Sequence, residues 1–441
     1  MANSYLTRTP SSDGNKQIFT FSTWLKRSKL GAEMGFFTGG SDANVNGFFT
    51  IQFKADDALN VQYYDGSFKN ITPNRKFRDT SGWFHIVVAM DSTQGTASNR
   101  TKVYINGVQE TSFADAEYPS QNQNFDINET ANPMQIGVRR NGSAALESYF
   151  DGYLSHVAFV DGQTLAPTVF GETDSTSGIW KFKSPSGVTW GTNGFHLKFE
   201  NSGNLGLDSS GQSNTFTVNG NGKQSIDTPS IVYCTGNAIG GRKNQPTLSH
   251  GNLTTTGTGG GTTWNCLIGT LGTTKGKWYY EYKITGSQQV QDFMLGILNT
   301  EVANSATVNT HQQNGTCLFY PNDGGEIHMD NSATTNDYGT SAQNDIFGIA
   351  YDLDTYKFNV YKNGTQIVTN FALSSNFQQG QTIVPSINLY EQNVGSINFG
   401  NGFFGTTAIS SAGSNGNGSL FEYDVPSGYY ALNTKNINTY G

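Results

Sequence analysis

A short strand that ends in an Asn-Gly pair occurs twice in the chain, and this repeat restricts the folds that the chain can adopt. Residues 102–107 (KVYING) alternate apolar and polar side chains, which is the period of a half-buried strand. Asn-Gly is the strongest short hairpin signal, because both central residues of a type I′ turn need positive φ. Residues 359–364 (NVYKNG) repeat the pattern. One copy in each half predicts two β-sandwich domains, and we expect the hairpin to mark the centre of each domain's sheet.

The composition favours many short strands joined by turns. Glycine is abundant, with 53 residues, and asparagine, serine and threonine accompany it between short aromatic and β-branched runs. No segment of the first 160 residues keeps a helical apolar period over the length that a helix needs. We therefore predict an all-β fold class, with two antiparallel β-sandwich (jelly-roll) domains in tandem.

The boundary between these domains is predicted where the apolar pattern lapses. Residues 221–240 lose the alternation, and the Asp227-Thr228-Pro229 triplet interrupts any strand there. We assign residues 1–220 to the first domain, 221–240 to a linker, and 241–441 to the second domain with a C-terminal extension.

The charge pattern excludes several classes of partner. The net charge is −8 and no basic run occurs, which argues against nucleic acid, because phosphate binding needs clustered lysine and arginine. No run approaches the ~20 apolar residues of a membrane span, and the N-terminus lacks the apolar region of a signal peptide. Three widely spaced cysteines support neither a disulfide scaffold nor a zinc site.

Each half carries motifs of a known domain type. The first half, about residues 1–220, resembles a concanavalin A-like, laminin-G-type jelly roll through residues 19–25 (FTFSTWL), 82–85 (GWFH), 103–107 (VYING), 150–154 (FDGYL) and 157–159 (VAF). The second half, about residues 233–400, resembles a SPRY-like sandwich through residues 276–281 (GKWYYE), 295–297 (LGI), 348–352 (GIAYD) and 360–364 (VYKNG).

The tandem as a whole is similar to virion structural proteins of tailed phages, especially marine ones. Four motifs follow in the order that such proteins have, at residues 194–199 (GFHLKF), 208–211 (DSSG), 227–229 (DTP) and 426–429 (PSGY). The resemblance implies a virion protein that is made in the host cytoplasm without a signal peptide, with other virion proteins as partners.

Residues for catalysis are not evident. Jelly-roll glycosidases need two carboxylates that flank the scissile bond, often as E-x-D-x-E on one strand, and no such run exists. Asp352 and Asp354 lie in a hairpin turn, where aspartate bonds locally to the backbone. The six histidines have no metal-ligand spacing, and the Asp- and Asn-rich residues 41–46 match no calcium-loop motif. We predict no catalytic residue, no enzyme activity, no metal and no cofactor, although loop oxygens of this kind could hold Ca²⁺.

Binding residues are sought where aromatic rings lie beside Asp and Asn in loops, as in carbohydrate-binding sandwiches. Aromatic residues at turns more often pack than bind, so these are candidates only. The candidates are Tyr63, Tyr64 and Asp65 in the first half and Tyr320, Asn322, Asp323 and Tyr338 in the second.

These observations favour a non-enzymatic phage virion appendage, either a tail fibre or a capsid-attached fibre or decoration. It would serve assembly and adhesion to a host-surface glycan or protein. We expect a homo-oligomer that assembles through sandwich faces or a partner protein, because no heptad stretch for a stalk exists. Two alternatives stay open: a polysaccharide depolymerase with unrecognised carboxylates, and a cellular adhesin exported by a dedicated secretion system.

Overall fold

A computed structural model describes residues 3–259, 264–288, 290–378 and 380–441, except for the side chain of Asp323. The chain divides into two compact units, Met1–Gln224 and Ser225–Gly441. The division falls inside the interval 221–240. Tyr233 and Cys234 of that interval are buried in cores of the second unit.

The first unit consists of short strands and contains no α-helix in its described residues. Its strands are β1 (Tyr5–Arg8), β2 (Ile18–Arg27), β3 (Met34–Gly39), β4 (Phe49–Phe53), β5 (Leu59–Tyr64), β6 (Phe68–Pro73), β7 (Phe84–Asp91), β8 (Thr101–Ile105), β9 (Val108–Gln109), β10 (Phe113–Ala116), β11 (Met134–Ile136), β12 (Arg139–Arg140), β13 (Leu146–Glu147), β14 (Gly152–Asp161), β15 (Gly171–Thr173), β16 (Trp180–Phe182), β17 (Phe195–Leu197) and β18 (Thr217–Asn219).

Two antiparallel sheets enclose the core of the first unit. An eight-stranded sheet has the order β10-β6-β5-β4-β3-β11-β1-β18, and a six-stranded sheet has the order β17-β14-β2-β7-β8-β9. Phenylalanine rings dominate between them: Phe19 contacts Phe49 edge-on at 5.3 Å and Phe159 at 5.4 Å. These side chains are fully buried, and each contributes about 1.5–3 kcal/mol by leaving water.

A histidine packs on the outer side of the six-stranded sheet. His85 on β7 is fully buried, and its ring stacks between Trp24 at 4.8 Å and Trp180 at 5.9 Å. Trp180 Nε1 donates to His85 Nδ1 at 3.0 Å, so His85 Nε2 donates to Ser22 Oγ at 2.9 Å. Burial lowers the pKa of His85 to about 3, so the ring is neutral at pH 7. His85 is thus a packing residue of the sheet, as its place in a strand pattern predicts.

The second unit is also built of strands, with one short α-helix among its described residues. Its elements are β19 (Thr247–Ser249), β20 (Thr254–Thr256), β21 (Trp264–Ile268), β22 (Lys277–Ile284), β23 (Phe293–Asn299), β24 (Thr316–Tyr320), β25 (Glu326–Met329), β26 (Ser332–Ala333), β27 (Ile346–Asp352), β28 (Lys357–Lys362), β29 (Thr365–Ala372), β30 (Ile383–Tyr390), β31 (Val394–Asn398), β32 (Phe403–Phe404), β33 (Thr407–Ala408), β34 (Tyr430–Ala431) and α1 (Thr434–Tyr440).

Two sheets again face each other across an aromatic core. One sheet has the order β19-β20-β31-β22-β27-β28-β29, with β34 added in parallel to β22, and the other has the order β21-β30-β23-β24-β25-β26. Trp278, Tyr280, Phe293 and Phe347 are fully buried or nearly so in the main core. Two tandem β-sandwiches therefore confirm the predicted fold class. No helix in the described part of the chain is long and apolar enough to cross a membrane.

The Asn-Gly hairpins form as predicted but lie elsewhere in their sheets. Asn106 and Gly107 have φ of 48° and 81°, and Asn363 and Gly364 have 47° and 79°, which are the positive values of a type I′ turn. The turns lead to β9 and β29, which are the last strands of their sheets. The expectation that they mark the sheet centres is wrong. A hairpin adds its second strand beside the first, and no later strand pairs beyond it.

Candidate functional site

Uncharged polar side chains cover part of the outer side of the eight-stranded sheet in the first unit. They belong to strands whose alternate residues fill the core: in β4, Phe49, Ile51 and Phe53 point inward, so Thr50 and Gln52 point outward. We call this layer the polar face; its side chains are buried (0–9% exposed), apart from Asn70, which is half-buried. Its residues are Gln135, Thr38, Thr50, Gln62 and Asn70 in one row, and Gln52, Asn60 and Thr72 beside it.

The first row crosses five strands in register. Gln135 pairs with Thr38, Thr38 with Thr50, Thr50 with Gln62, and Gln62 with Asn70. With strands about 4.8 Å apart, the row extends about 19 Å. The accessible end of the row is at Asn70, beside the half-buried Tyr64 and the exposed Phe68.

Hydrogen bonds between amides hold the polar face in one arrangement. Asn70 Oδ1 accepts from Asn60 Nδ2 at 2.9 Å and from Gln62 Nε2 at 3.0 Å. Thr72 Oγ1 donates to Asn60 Oδ1 at 3.1 Å. A network of this kind fixes side-chain rotamers before a ligand arrives, which lowers the entropic cost of binding.

Charged residues border the polar face but are already paired. Arg139 donates from one nitrogen to Gln62 Oε1 at 3.2 Å and from another to Glu147 at 2.9 Å. On β6, Asn70 donates its backbone N–H to Glu117 Oε2 at 3.0 Å. Arg139 is therefore paired with a carboxylate, whereas the exposed Glu117 bonds to an uncharged backbone N–H.

Two buried acceptors on this sheet have no hydrogen-bond partner within the described residues. They are Gln52 Oε1 and Gln135 Oε1, and each side chain is only 2% exposed. A buried acceptor without a donor costs about 1–3 kcal/mol. Both atoms thus favour a buried water molecule as their donor.

The three sequence candidates of the first unit separate in the structure. Tyr64 lies two residues after Gln62 on β5, hence on the same side, and its ring meets the partly exposed Phe68 ring at 5.2 Å. Tyr63 points into the core and donates its hydroxyl to Glu117 O at 2.8 Å; burial raises its pKa well above the usual value. Asp65 lies in the following turn, where its N–H donates to Ser67 O.

A second group of chemistry-bearing side chains lies on the outer side of the β21-β30-β23-β24-β25-β26 sheet in the second unit. We call it the aromatic cluster; its members are Trp264, His311, Tyr320, His328 and Tyr390, all half-buried. The Trp264 ring lies 4.9 Å from His311, 5.2 Å from Tyr390 and 5.7 Å from Tyr320, while Tyr320 lies 5.5 Å from His328.

Acceptors line this cluster. Asp292 Oδ1 accepts from Tyr320 Oη at 3.0 Å and from Asn322 Nδ2 at 3.1 Å, and His328 Nε2 lies 3.2 Å from Glu326 Oε2. Burial lowers the pKa of His328, against the opposing effect of Glu326. For His311, burial lowers the pKa to about 4, so this ring is neutral at pH 7.

The structure thus brings Tyr320 and Asn322 together beside Asp292. Tyr338 packs against the main core, and its hydroxyl accepts from Asn336 at 2.6 Å. The side chain of Asp323 lies outside the described residues. No group of three or more His, Cys, Asp or Glu side chains within the described ranges could hold a metal ion.

Most residues of both sites were not among the sequence candidates. The polar alternation in residues 50–72 is a signal for the polar face, but outward polar residues on a strand usually mean only a solvated side. Trp264 and His311 come from separate loops and strands, so no local motif joins them to Tyr320.

Two domain models match the chain. The model described as the concanavalin A-like lectin/glucanases superfamily matches residues 1–170, and the SPRY domain model matches residues 277–402. No curated protein matches the whole chain significantly.

Solved structures with some similarity include a SPRY domain, a pentraxin and a putative carbohydrate binding protein. The SPRY domain of human HERC1 is 16% identical over 33% of this chain and 87% of its own, with a TM-score of 0.26. A heptameric SAP-like pentraxin from Limulus polyphemus is 15% identical over 43% and 82%, with a TM-score of 0.28. A putative carbohydrate binding protein from Bacteroides ovatus is 14% identical over 50% and 57%, with a TM-score of 0.34. The two domain matches fall one in each unit of the chain, the first in Met1–Gln224 and the second in Ser225–Gly441.

Proposed function

We propose that the chain is a non-enzymatic adhesion protein that binds a neutral saccharide on the polar face of its first unit. The observation that carries the proposal is the accessible end of the in-register row, where half-buried Asn70 lies beside the paired rings of Tyr64 and Phe68. Sugar hydroxyls donate and accept at once, so they complement amide and hydroxyl side chains that do the same.

The chemistry of the polar face favours a saccharide over a protein partner. The core of a protein interface is mostly apolar, with aromatic anchors in pockets. The polar face instead offers amides and hydroxyls, with aromatic surface only at Tyr64 and Phe68, where the apolar side of a sugar ring can stack. The pairing of Arg139 with Glu147 favours a ligand without net charge.

The carboxylates beside the polar face are engaged in structural hydrogen bonds. Glu117 accepts from Asn70, and Glu147 accepts from Arg139 and from Asn141 Nδ2 at 3.1 Å. Glycoside hydrolysis needs one carboxyl group as acid and another as base or nucleophile. If the chain is instead a depolymerase, it should release new reducing ends from host polysaccharide, and Glu117→Gln should abolish this release. No release by the wild type supports the non-enzymatic proposal.

We place this adhesion on a tailed-phage virion, as a tail fibre or as a capsid-attached fibre or decoration. The motif order at residues 194–199, 208–211, 227–229 and 426–429 supports the proposal through its resemblance to such proteins. Many copies on one particle would raise weak single contacts to useful avidity. Mass spectrometry of purified virions should detect the chain. Its absence from virions, with presence on a cell surface, would favour the exported adhesin instead.

A glycan microarray probed with the labelled full chain tests saccharide binding. We expect signals on neutral glycans that weaken at least tenfold in Gln62→Ala, because this change removes the central amide of the row. The matched control is Gln212→Ala, at an exposed turn away from the polar face, which should bind as the wild type. No signal on any neutral glycan would overturn the proposal.

A further inference from the structure

We propose that the aromatic cluster of the second unit is a second saccharide-binding site, so that each chain binds neutral glycan at two places. The inference rests on the proposed adhesion function but concerns a different unit and a different set of residues. It requires that the sheet place aromatic surface and hydrogen-bonding groups together, and that the local charge suit a neutral ligand.

The sheet register brings the aromatic rings to one place. Trp264 on β21 pairs directly with Tyr390 on β30, and the N–H of Tyr390 donates to Asp292 O at 3.0 Å. Tyr320 ends β24, where its hydroxyl reaches the Asp292 carboxylate. Three strand ends and the segment before β23 therefore build one surface. The Trp264 ring is inclined by 73° to the Tyr320 ring and by 59° to the Tyr390 ring, so these rings make edge contacts rather than parallel stacks.

Polar groups at this surface match sugar hydroxyls. Asn322 Nδ2 donates to Tyr320 Oη at 2.8 Å and to Asp292, which forms a short chain of donors and acceptors beside the rings. Glu326 supplies a second carboxylate next to His328. Within the described residues, the buried Nδ1 of His311 has no hydrogen-bond partner. A hydroxyl ligand would satisfy this nitrogen.

Charged groups of both signs border the cluster. Asp292, Glu326 and Glu391, which hydrogen-bonds to Tyr390, are carboxylates, and aromatic rings with carboxylates can also bind ammonium groups. Lys243 acts on His311, and Lys243 and Arg242 both act on Cys266, which lies two residues after Trp264. These two cationic side chains offset most of the charge of the three carboxylates, and a cationic probe distinguishes an ammonium ligand from a neutral one.

Two sites per chain have a measurable consequence. When two sites engage one polysaccharide, the second contact becomes intramolecular and overall affinity rises by about 10²–10⁴-fold without any new contact type. The same reasoning predicts that loss of either site lowers attachment to a polymer more than it lowers affinity for a short oligosaccharide.

Isothermal titration of the full chain tests this inference, with cellohexaose, laminarihexaose and mannohexaose as neutral probes and tetramethylammonium chloride as the cationic probe. For a hexasaccharide that binds, we expect two sites per chain. Tyr320→Ala should leave one site, and Tyr320→Phe, which removes only the hydroxyl bound to Asp292, should weaken that site several-fold. Tyr361→Ala, an aromatic change on the other sheet of the same unit, is the matched control and should keep both.

The outcomes separate the two proposals. One site that is lost in Gln62→Ala and unaffected by Tyr320→Ala overturns the second site but leaves the proposed function standing. One site that responds only to Tyr320→Ala overturns the assignment of the polar face and supports the aromatic cluster. Binding of tetramethylammonium, with no hexasaccharide at the cluster, overturns the saccharide inference in favour of a cationic ligand. No binding of any neutral saccharide overturns both.

Discussion

Replacing Glu281 by glutamine should remove a pH dependence from the stability of the second unit. Glu281 on β22 is fully buried, and its carboxylate accepts the backbone N–H groups of Glu422 and Tyr423, each at 2.9 Å. Asn398 Nδ2 donates to it at 3.1 Å and Tyr279 Oη at 3.3 Å. The side chain thus fastens a C-terminal segment to the outer side of its sheet.

The magnitude follows from the cost of a buried charge. Burial raises the pKa of Glu281 from 4.5 to about 7, although its four hydrogen-bond donors oppose the change. A difference of about 2.5 pH units corresponds to roughly 3 kcal/mol. Because the folded pKa exceeds the unfolded one, this stability is fully present below pH 4.5 and is lost as the pH rises through 7.

The assay is urea unfolding of the full chain from pH 4 to pH 8, with hydrogen exchange of second-unit peptides as the readout. The wild-type free energy of unfolding minus that of Glu281→Gln should fall by about 3 kcal/mol across this range. Subtracting the variant's free energy of unfolding from that of the wild type cancels the contributions of the other titrating groups, which both proteins share. A difference that stays constant with pH would refute the reasoning, since it would mean that the four donors keep Glu281 ionised in the folded state.

Three further changes probe the first unit. Asp57→Ala should lower the free energy of unfolding by about 3–5 kcal/mol, because its partner Arg27, 3.0 Å away, is fully buried and would keep an uncompensated charge. The control Asp56→Ala, at an exposed ion pair, should lower it by less than about 1 kcal/mol. Equal losses in thermal unfolding would contradict this account. His85→Gln should reduce the loss of first-unit stability at acid pH. Burial lowers the folded pKa of His85 to about 3, so the stability that its neutral ring contributes is present above pH 6.5 and declines as the pH falls towards 3. Acid titration of the variant and the wild type by circular dichroism measures the difference. Tyr64→Ala should weaken saccharide binding several-fold in calorimetry with unchanged melting temperature, and undiminished affinity would remove the ring from the site.

The sequence was sufficient for the fold class because alternation is local. Residues 49–53 and 59–64 show the period of a strand, and the Asn-Gly turns require positive φ wherever they occur. The position of a hairpin within its sheet depends on pairings between distant segments, which is why the expected central position was wrong. Helix α1 was not predicted, although Asn433 caps it by accepting the N–H of Asn436, a helix-start signal present in the sequence.

The candidate sites also differ in how far local sequence signals predict them. Tyr64, Tyr320 and Asn322 could be proposed as candidates because an aromatic or amide residue at a turn is a local signal. Neighbouring Tyr63 could not be distinguished from Tyr64 until the register showed which one faces the core. The polar face is formed by five strands in register, so no single segment of the sequence predicts it. Trp264 contacts Tyr320 only because strand pairing brings their strands together.

The most direct test of the central claim is a crystal structure of the full chain with the hexasaccharide that binds most tightly in calorimetry. The account predicts electron density for the sugar at the Asn70 end of the row, with a hydroxyl within hydrogen-bond distance of the Asn70 side chain and a sugar ring against Tyr64. A sugar bound elsewhere in the first unit, with the polar face occupied by water alone, would contradict it.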